Sequence, residues 1–197
     1  MSDINQENLQ KKPKERSRGK SAAIRLAQCA IFVVLMVVSA YIQIPFPFVP
    51  LTFQTVVAVL AGLLLGPRYG TASVCVYVLM GLLGLPVFSG GGGIGYVVQL
   101  TFGYLLGFIA AAFVSGFIAH KCRPSLRIFI LAGVCGFLAN YAVGAPYFLL
   151  LWHFYYHNAG LWNAFVVYNL IYMPKDLILC ILAAVLANRL IPLLDRR

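Results

Sequence analysis

Two charged side chains, Lys175 and Asp176, follow Pro174 inside the apolar block 162–192 and are the only formal charges set away from the block edges and termini that hold all the others. A charge at the centre of a bilayer costs about 2.5 to 3.5 kcal/mol, so a pair like this faces a polar cavity or compensates itself while snorkelling outward. Polar and aromatic residues lie within a turn or two: Asn169 and Tyr172 before the pair, and Asn140, Tyr141 and Tyr147 in the preceding block. Donors, acceptors and aromatic walls of this kind suit a small solute with an amide-like head and an apolar ring. Each Asn or Tyr taken singly also reads as glue between helices.

Other chemistry is poorly supported. The run Gly90 to Gly93 lacks the following Lys-Ser or Lys-Thr of a phosphate loop, and no Walker sequence occurs, so the chain carries no ATPase of its own. His153 and His157 have the i, i+4 spacing of metal ligands but stand in an aromatic run without an acidic residue or Cys beside them, which fits interface anchoring. Ser89 before four glycines lacks the strand-turn-helix setting of a nucleophile elbow. The expectation is binding rather than catalysis, with no catalytic residue, metal or cofactor.

The elements that must position these residues are membrane spans. Of 197 residues, 61% are hydrophobic and 10% charged, far from the soluble average. Six apolar blocks, at 21–44, 52–66, 69–86, 98–119, 127–151 and 162–192, are divided by Pro, Gly or charge. The net charge of +10 sits at block edges: the 11–20 stretch, Arg25, Arg68, Lys121, Arg123, Arg127, Arg189, Arg196 and Arg197. That distribution argues for membrane topology and against nucleic acid. It predicts an all-α integral membrane bundle of six transmembrane helices in contact with lipid, both termini cytoplasmic. Residues 1–20 are expected to be a disordered basic tail, 21–192 the six-helix substrate-binding domain and 193–197 a short cytoplasmic tail. The first apolar run is too long for a signal-peptide core and is expected to stay as an anchor.

The three opposite connections, 43–51, 86–97 and 152–161, hold no Lys, Arg, Asp or Glu and are rich in Pro, Gly and aromatics. They suit mobile or re-entrant caps over a cavity. Small residues recur at four-residue spacing in Ala23/Ala27, Gly62/Gly66 and Gly103/Gly107, where helices can approach closely. Cys29, Cys75, Cys122, Cys135 and Cys180 lack CxxC spacing and read as packing residues.

Several blocks in order carry a family resemblance: Val49 to Thr55 (VPLTFQT), Ala61 to Gly70 (AGLLLGPRYG), Gly81 to Phe88 (GLLGLPVF) before the glycine run, Thr101 to Phe108, and Pro174-Lys175-Asp176. Over residues 22–192 the chain resembles the BioY family, the biotin-specific substrate-binding (S) components of energy-coupling factor (ECF) transporters. The resemblance implies an S-component fold that binds biotin near the outer face, together with a transmembrane coupling subunit and two cytoplasmic ATPases in the prokaryotic cytoplasmic membrane. It implies substrate contacts at Asp176, Lys175, Asn140, Tyr141, Gly91, Gly92, Tyr96, Thr101, Tyr104 and Gln54, with Asp176 taking the ureido N–H groups and Lys175 or the glycine run the valerate carboxylate. Ala23, Ala27 and Ala30 are the implied coupling-subunit contacts. Other outcomes are an S component for another vitamin and a stand-alone biotin carrier.

Two departures stand out. The family pattern has Lys three residues beyond the Asp, where this chain has Leu179. Lys175 is one residue back from Asp176, about 100° around a helix. The family's Pro-Thr-Gly block reads Leu100-Thr101-Phe102-Gly103, so Thr101, Gly103 and Tyr104 carry over.

Overall fold

A computed structural model describes residues 3–44, 51–157 and 160–194, with side chains over 22–44, 52–157 and 160–191. In chain order come α1 (Asp3–Tyr41), β1 (Gln43–Ile44), β2 (Leu51–Thr52), α2 (Gln54–Leu82), a 3-10 turn (Ile94–Val98), α3 (Phe102–Lys121), α4 (Leu126–Leu150), α5 (Leu161–Phe165) and α6 (Met173–Leu194). π-Helical turns at Leu151–Tyr155 and Val166–Leu170 extend α4 and join α5 toward α6. Among the described residues, five helical stretches are long and apolar enough to cross a membrane: Ala22–Tyr41, Gln54–Leu82, Phe102–Lys121, Leu126–Tyr155 and Leu161–Ile191.

The fivefold count and the six expected blocks agree once α2 is followed through its corner. Straight helix would separate Gln54 from Tyr77 by about 35 Å, yet Gln54 Nε2 donates to Tyr77 Oη at 2.6 Å. The chain reverses at Gly66, whose φ of 81° and ψ of 176° lie outside helical space, and Pro67 starts the returning half. Such a backbone is essentially restricted to glycine, and Pro at a helix start has no N–H to lose. A Cβ at Gly70 would lie 2.6 Å from the Ala61 carbonyl oxygen, which shows how tightly the halves meet. Blocks two and three are therefore the two arms of one hairpin.

The stretch 1–20, expected to be disordered, is helical backbone from Asp3 onward. Lys, Arg, Gln and Glu are good helix formers, and the apolar part of α1 supplies a nucleus from which helix propagates. Residues 195–197 and the Pro-rich centre of the first connection, 45–50, lie outside the described residues; the flanks of that connection pair antiparallel, Gln43 with Thr52 and Ile44 with Leu51.

Helix α3 packs along both α2 and α4, α6 closes the bundle against α4 and α2, and α1 leans on α2 from outside. Glycines permit these approaches: a Cβ at Gly62 would run into the Ala112 carbonyl on α3, and one at Gly107 into Asn140 on α4. One apolar core joins α1, α2 and α3 around Met36, Tyr77, Phe88 and Phe108. A second joins α2, α4 and α6 around Leu63, Phe137 and Cys180. Between these cores the bundle stays open at one end, beside the uncharged connections.

Candidate functional site

The cavity at that end contains about 550 Å3 of unfilled space, its mouth included, and is lined by both polar and apolar groups. The first turns of α2, α3 and α6 and the outer half of α4 supply its walls, with the second connection as cap.

Asp176 anchors the polar side. Its Oδ2 accepts from Tyr141 Oη at 2.8 Å and Thr55 Oγ1 at 3.4 Å. Its Oδ1 lies 2.8 Å from Lys175 Nζ but receives no aligned hydrogen bond; proximity of the charges, not directed bonding, compensates it. The 100° offset between these neighbours along the helix does not keep them apart, because the four-carbon Lys stem swings its ammonium back over Asp176. Lys175 Nζ also donates to the Thr52 carbonyl at 2.8 Å and sits 5.5 Å from the centre of the Phe53 ring. The charged pair on α6 thereby ties the start of α2 and strand β2 to the cavity mouth. A carboxylate in the first turn of α6 is also favoured by the helix dipole.

Across the cavity Asn140 is fully buried, and neither its amide oxygen nor its amide nitrogen has a partner. Tyr104 Oη donates to Asn169 Oδ1, and the Tyr104 and Tyr141 rings meet edge to face at 5.8 Å. Thr101 Oγ1 donates to Tyr96 Oη at 3.1 Å, and Tyr96 packs on Phe88 with ring centres 4.6 Å apart.

Of the residues named from the sequence as substrate contacts, Lys175, Asp176, Asn140, Tyr141, Tyr96, Thr101, Tyr104 and Gln54 line the cavity. Gly91 and Gly92 do not. The glycine run folds back on itself: Gly91 N–H donates to the Phe88 carbonyl at 3.1 Å and Gly93 N–H to the Gly81 carbonyl at 2.7 Å. A Cβ at Gly92 would strike the Leu85 carbonyl. Its glycines shape the cap, and the connection presents Ser89 and Tyr96 inward. Thr52, Thr55, Ser89, Leu105, Phe108 and Tyr168 are further lining residues that the sequence reading missed. Thr52 and Thr55, polar and three apart at the start of an apolar block, are the signal that was there to find. At the opposite edge of the bundle Ala23, Ala27 and Ala30 are exposed on one stripe of α1.

Comparison with known proteins places the fold in a family. A family model for the BioY family matches residues 11–196. The probable biotin transporter BioY of Lysinibacillus sphaericus is 42% identical over 173 residues, covering 87% of this chain and 88% of that protein. The biotin transporter BioY of Thermotoga maritima is 41% identical over 167 residues, 84% and 95% of the two chains. A crystal structure of the S-component for biotin from an ECF-type ABC transporter superposes with a TM-score of 0.74 at 28% identity, covering 87% of this chain and 92% of that one. FolT bound with folic acid shares the fold, with a TM-score of 0.53 at 19% identity over 78% and 86% of the chains. With its several membrane-crossing helices and a match along nearly its whole length, the chain belongs to the BioY family.

Proposed function

We propose that this protein captures biotin with high affinity at the outer face of the cytoplasmic membrane and delivers it inward as the S component of an ECF-type ABC transporter. One observation carries the reading: the cavity at the uncharged end of the bundle holds a cation beside a buried carboxylate, with aromatic walls and a buried carboxamide whose polar atoms have no partner. A ligand with a carboxylate at one end and a neutral polar ring at the other matches those groups. The Lys175 ammonium receives the carboxylate near the mouth. Tyr96, Tyr104 and Tyr141 enclose the bicyclic ring, and Gln54 and Thr101 brace the wall through Tyr77 and Tyr96.

Transport is conformational, and the energy comes from partners. A coupling subunit docks on the exposed small-residue stripe Ala23, Ala27 and Ala30, and two cytoplasmic ATPases supply the power stroke. Both termini face the cytoplasm, consistent with six crossings and the placement of Arg68, Lys121, Arg123 and Arg127 at one end. Mass spectrometry of the ligand that co-purifies with the protein tests the substrate: biotin is expected, and a different vitamin overturns the assignment. Uptake of labelled biotin in cells with and without the coupling and ATPase subunits tests the partnership. Undiminished uptake in their absence makes the protein a stand-alone carrier.

A further inference from the structure

Three buried side chains around the cavity keep polar atoms without hydrogen-bond partners: Asp176, Asn169 and Asn140. They differ in what is left open. Asp176 Oδ1 has Lys175 at ion-pair distance, and Oδ2 is taken by Tyr141 and Thr55. Asn169 spends its oxygen on Tyr104, so only its Nδ2 is open, and it is not part of the lining. Asn140 lines the cavity with both Oδ1 and Nδ2 open, although the residue is 0% exposed. Burying an amide edge with nothing to meet it is costly and rare in folded proteins. Gly107 provides the space, since any Cβ there would collide with Asn140 Oδ1.

We propose that Asn140 reads the cyclic urea of the substrate, its Oδ1 accepting one ureido N–H while its Nδ2 donates to the adjacent urea carbonyl. A carboxamide and a urea each present one donor and one acceptor side by side, so the two edges close a two-hydrogen-bond ring. Exchanging the Asn oxygen and nitrogen merely turns the ligand over. The inference rests on the biotin reading and deepens it. It moves urea recognition from Asp176, whose Oδ2 is taken by Tyr141 and Thr55 and whose Oδ1 faces the Lys175 ammonium, to α4. Asp176 instead holds Lys175 in place for the carboxylate. A carboxylic acid without the urea edge leaves both Asn140 atoms buried and unpaired, and sites of that kind reject such analogues strongly.

The test compares biotin with 2-iminobiotin in the full-length protein purified in detergent. In the analogue an imino group replaces the urea oxygen, and its protonated form offers donors only. Wild type is expected to prefer biotin. Asn140→Asp presents two acceptors and is expected to shift the biotin-to-iminobiotin affinity ratio toward iminobiotin by about 100-fold, two mismatches of about tenfold each. Asn140→Leu, similar in volume and uncharged, covers the case in which a second carboxylate near Asp176 prevents folding. It is expected to weaken biotin by about tenfold or more and to bring the ratio near one. A wild-type ratio in whichever variant folds overturns the role of Asn140 and leaves biotin capture standing. Failure of the wild type to bind biotin overturns both.

Discussion

Replacing Lys175 with Met removes one ammonium while keeping a long apolar stem against Phe53. The ammonium has three donors. One is directed at the Thr52 carbonyl at 2.8 Å, and Asp176 Oδ1 lies at the same distance as an ion-pair partner without an aligned hydrogen bond, which leaves donors for a ligand carboxylate. At such a distance and an effective dielectric of about 20, the gross attraction between unit charges is about 6 kcal/mol. The Lys175 side chain is 28% exposed, so water screens it, and a charge-assisted hydrogen bond there is worth about 1.5 to 3 kcal/mol net. That range corresponds to about 10- to 150-fold in Kd. Calorimetric titration of the purified protein with biotin and with biotin methyl ester reads it directly. Wild type is expected to favour the acid. Lys175→Met is expected to lose that preference by weakening the acid alone, with the ester held within about twofold, since the ester never drew on the ion pair. Equal losses for acid and ester would mean that Lys175 only clamps β2 and the start of α2, and the carboxylate assignment would fall.

Further predictions come from other parts of the fold. Gly66→Ala forces a side chain into a backbone region essentially reserved for glycine, at a cost of about 1 to 3 kcal/mol. A lower thermal midpoint in detergent is expected, and an unchanged midpoint refutes the hairpin corner. Gly92→Ala drives a Cβ into the Leu85 carbonyl and should distort the cap, raising the biotin dissociation rate several-fold with little change in the rate of association. Matching dissociation rates in stopped-flow release would show that the cap does not retain the ligand. Ala27→Trp enlarges an exposed position on α1, so biotin affinity should hold while uptake with the coupling subunit and ATPases collapses. Parallel loss of both would place Ala27 in folding rather than docking.

What the sequence made legible was whatever leaves a one-dimensional trace. Six apolar blocks, with basic residues at alternate breaks, locate the crossings, and the lone Lys175-Asp176 pair marks the cavity because charge is rare in such surroundings. Eight of the residues named from the sequence as substrate contacts line the cavity: Asp176, Lys175, Asn140, Tyr141, Tyr96, Thr101, Tyr104 and Gln54. Gly91 and Gly92 are outside that lining, and a glycine that approaches a ligand and one that approaches its own backbone look alike in sequence. Here the neighbour is the Leu85 carbonyl. Nor did the apolar blocks reveal that Thr52 and Thr55 face inward, since their direction depends on how the Gly66 corner sets the two arms. The helical backbone of residues 3–20 was missed for a different reason: composition argues against a core there, but a segment attached to a transmembrane helix can propagate that helix without one.

The exchange of Lys for Leu179 takes a definite physical form in this geometry. Positions 175 and 179 are four apart, so they share a stripe of α6 and differ by about 6 Å along its axis. A cation at 179 would stand one turn deeper than Asp176, below the level at which Tyr141 and Thr55 hold its carboxylate. Lys175 stands one turn nearer the mouth, and its ammonium still reaches Asp176 while also gripping Thr52. The shift therefore keeps the ion pair but moves its positive end outward, against the strand that borders the opening. On the proposed reading, a ligand carboxylate drawn to that point lies near the mouth and the ring extends inward toward Asn140. Holding the ligand carboxylate and fixing Thr52 at the mouth, on that reading, draw on the same ammonium.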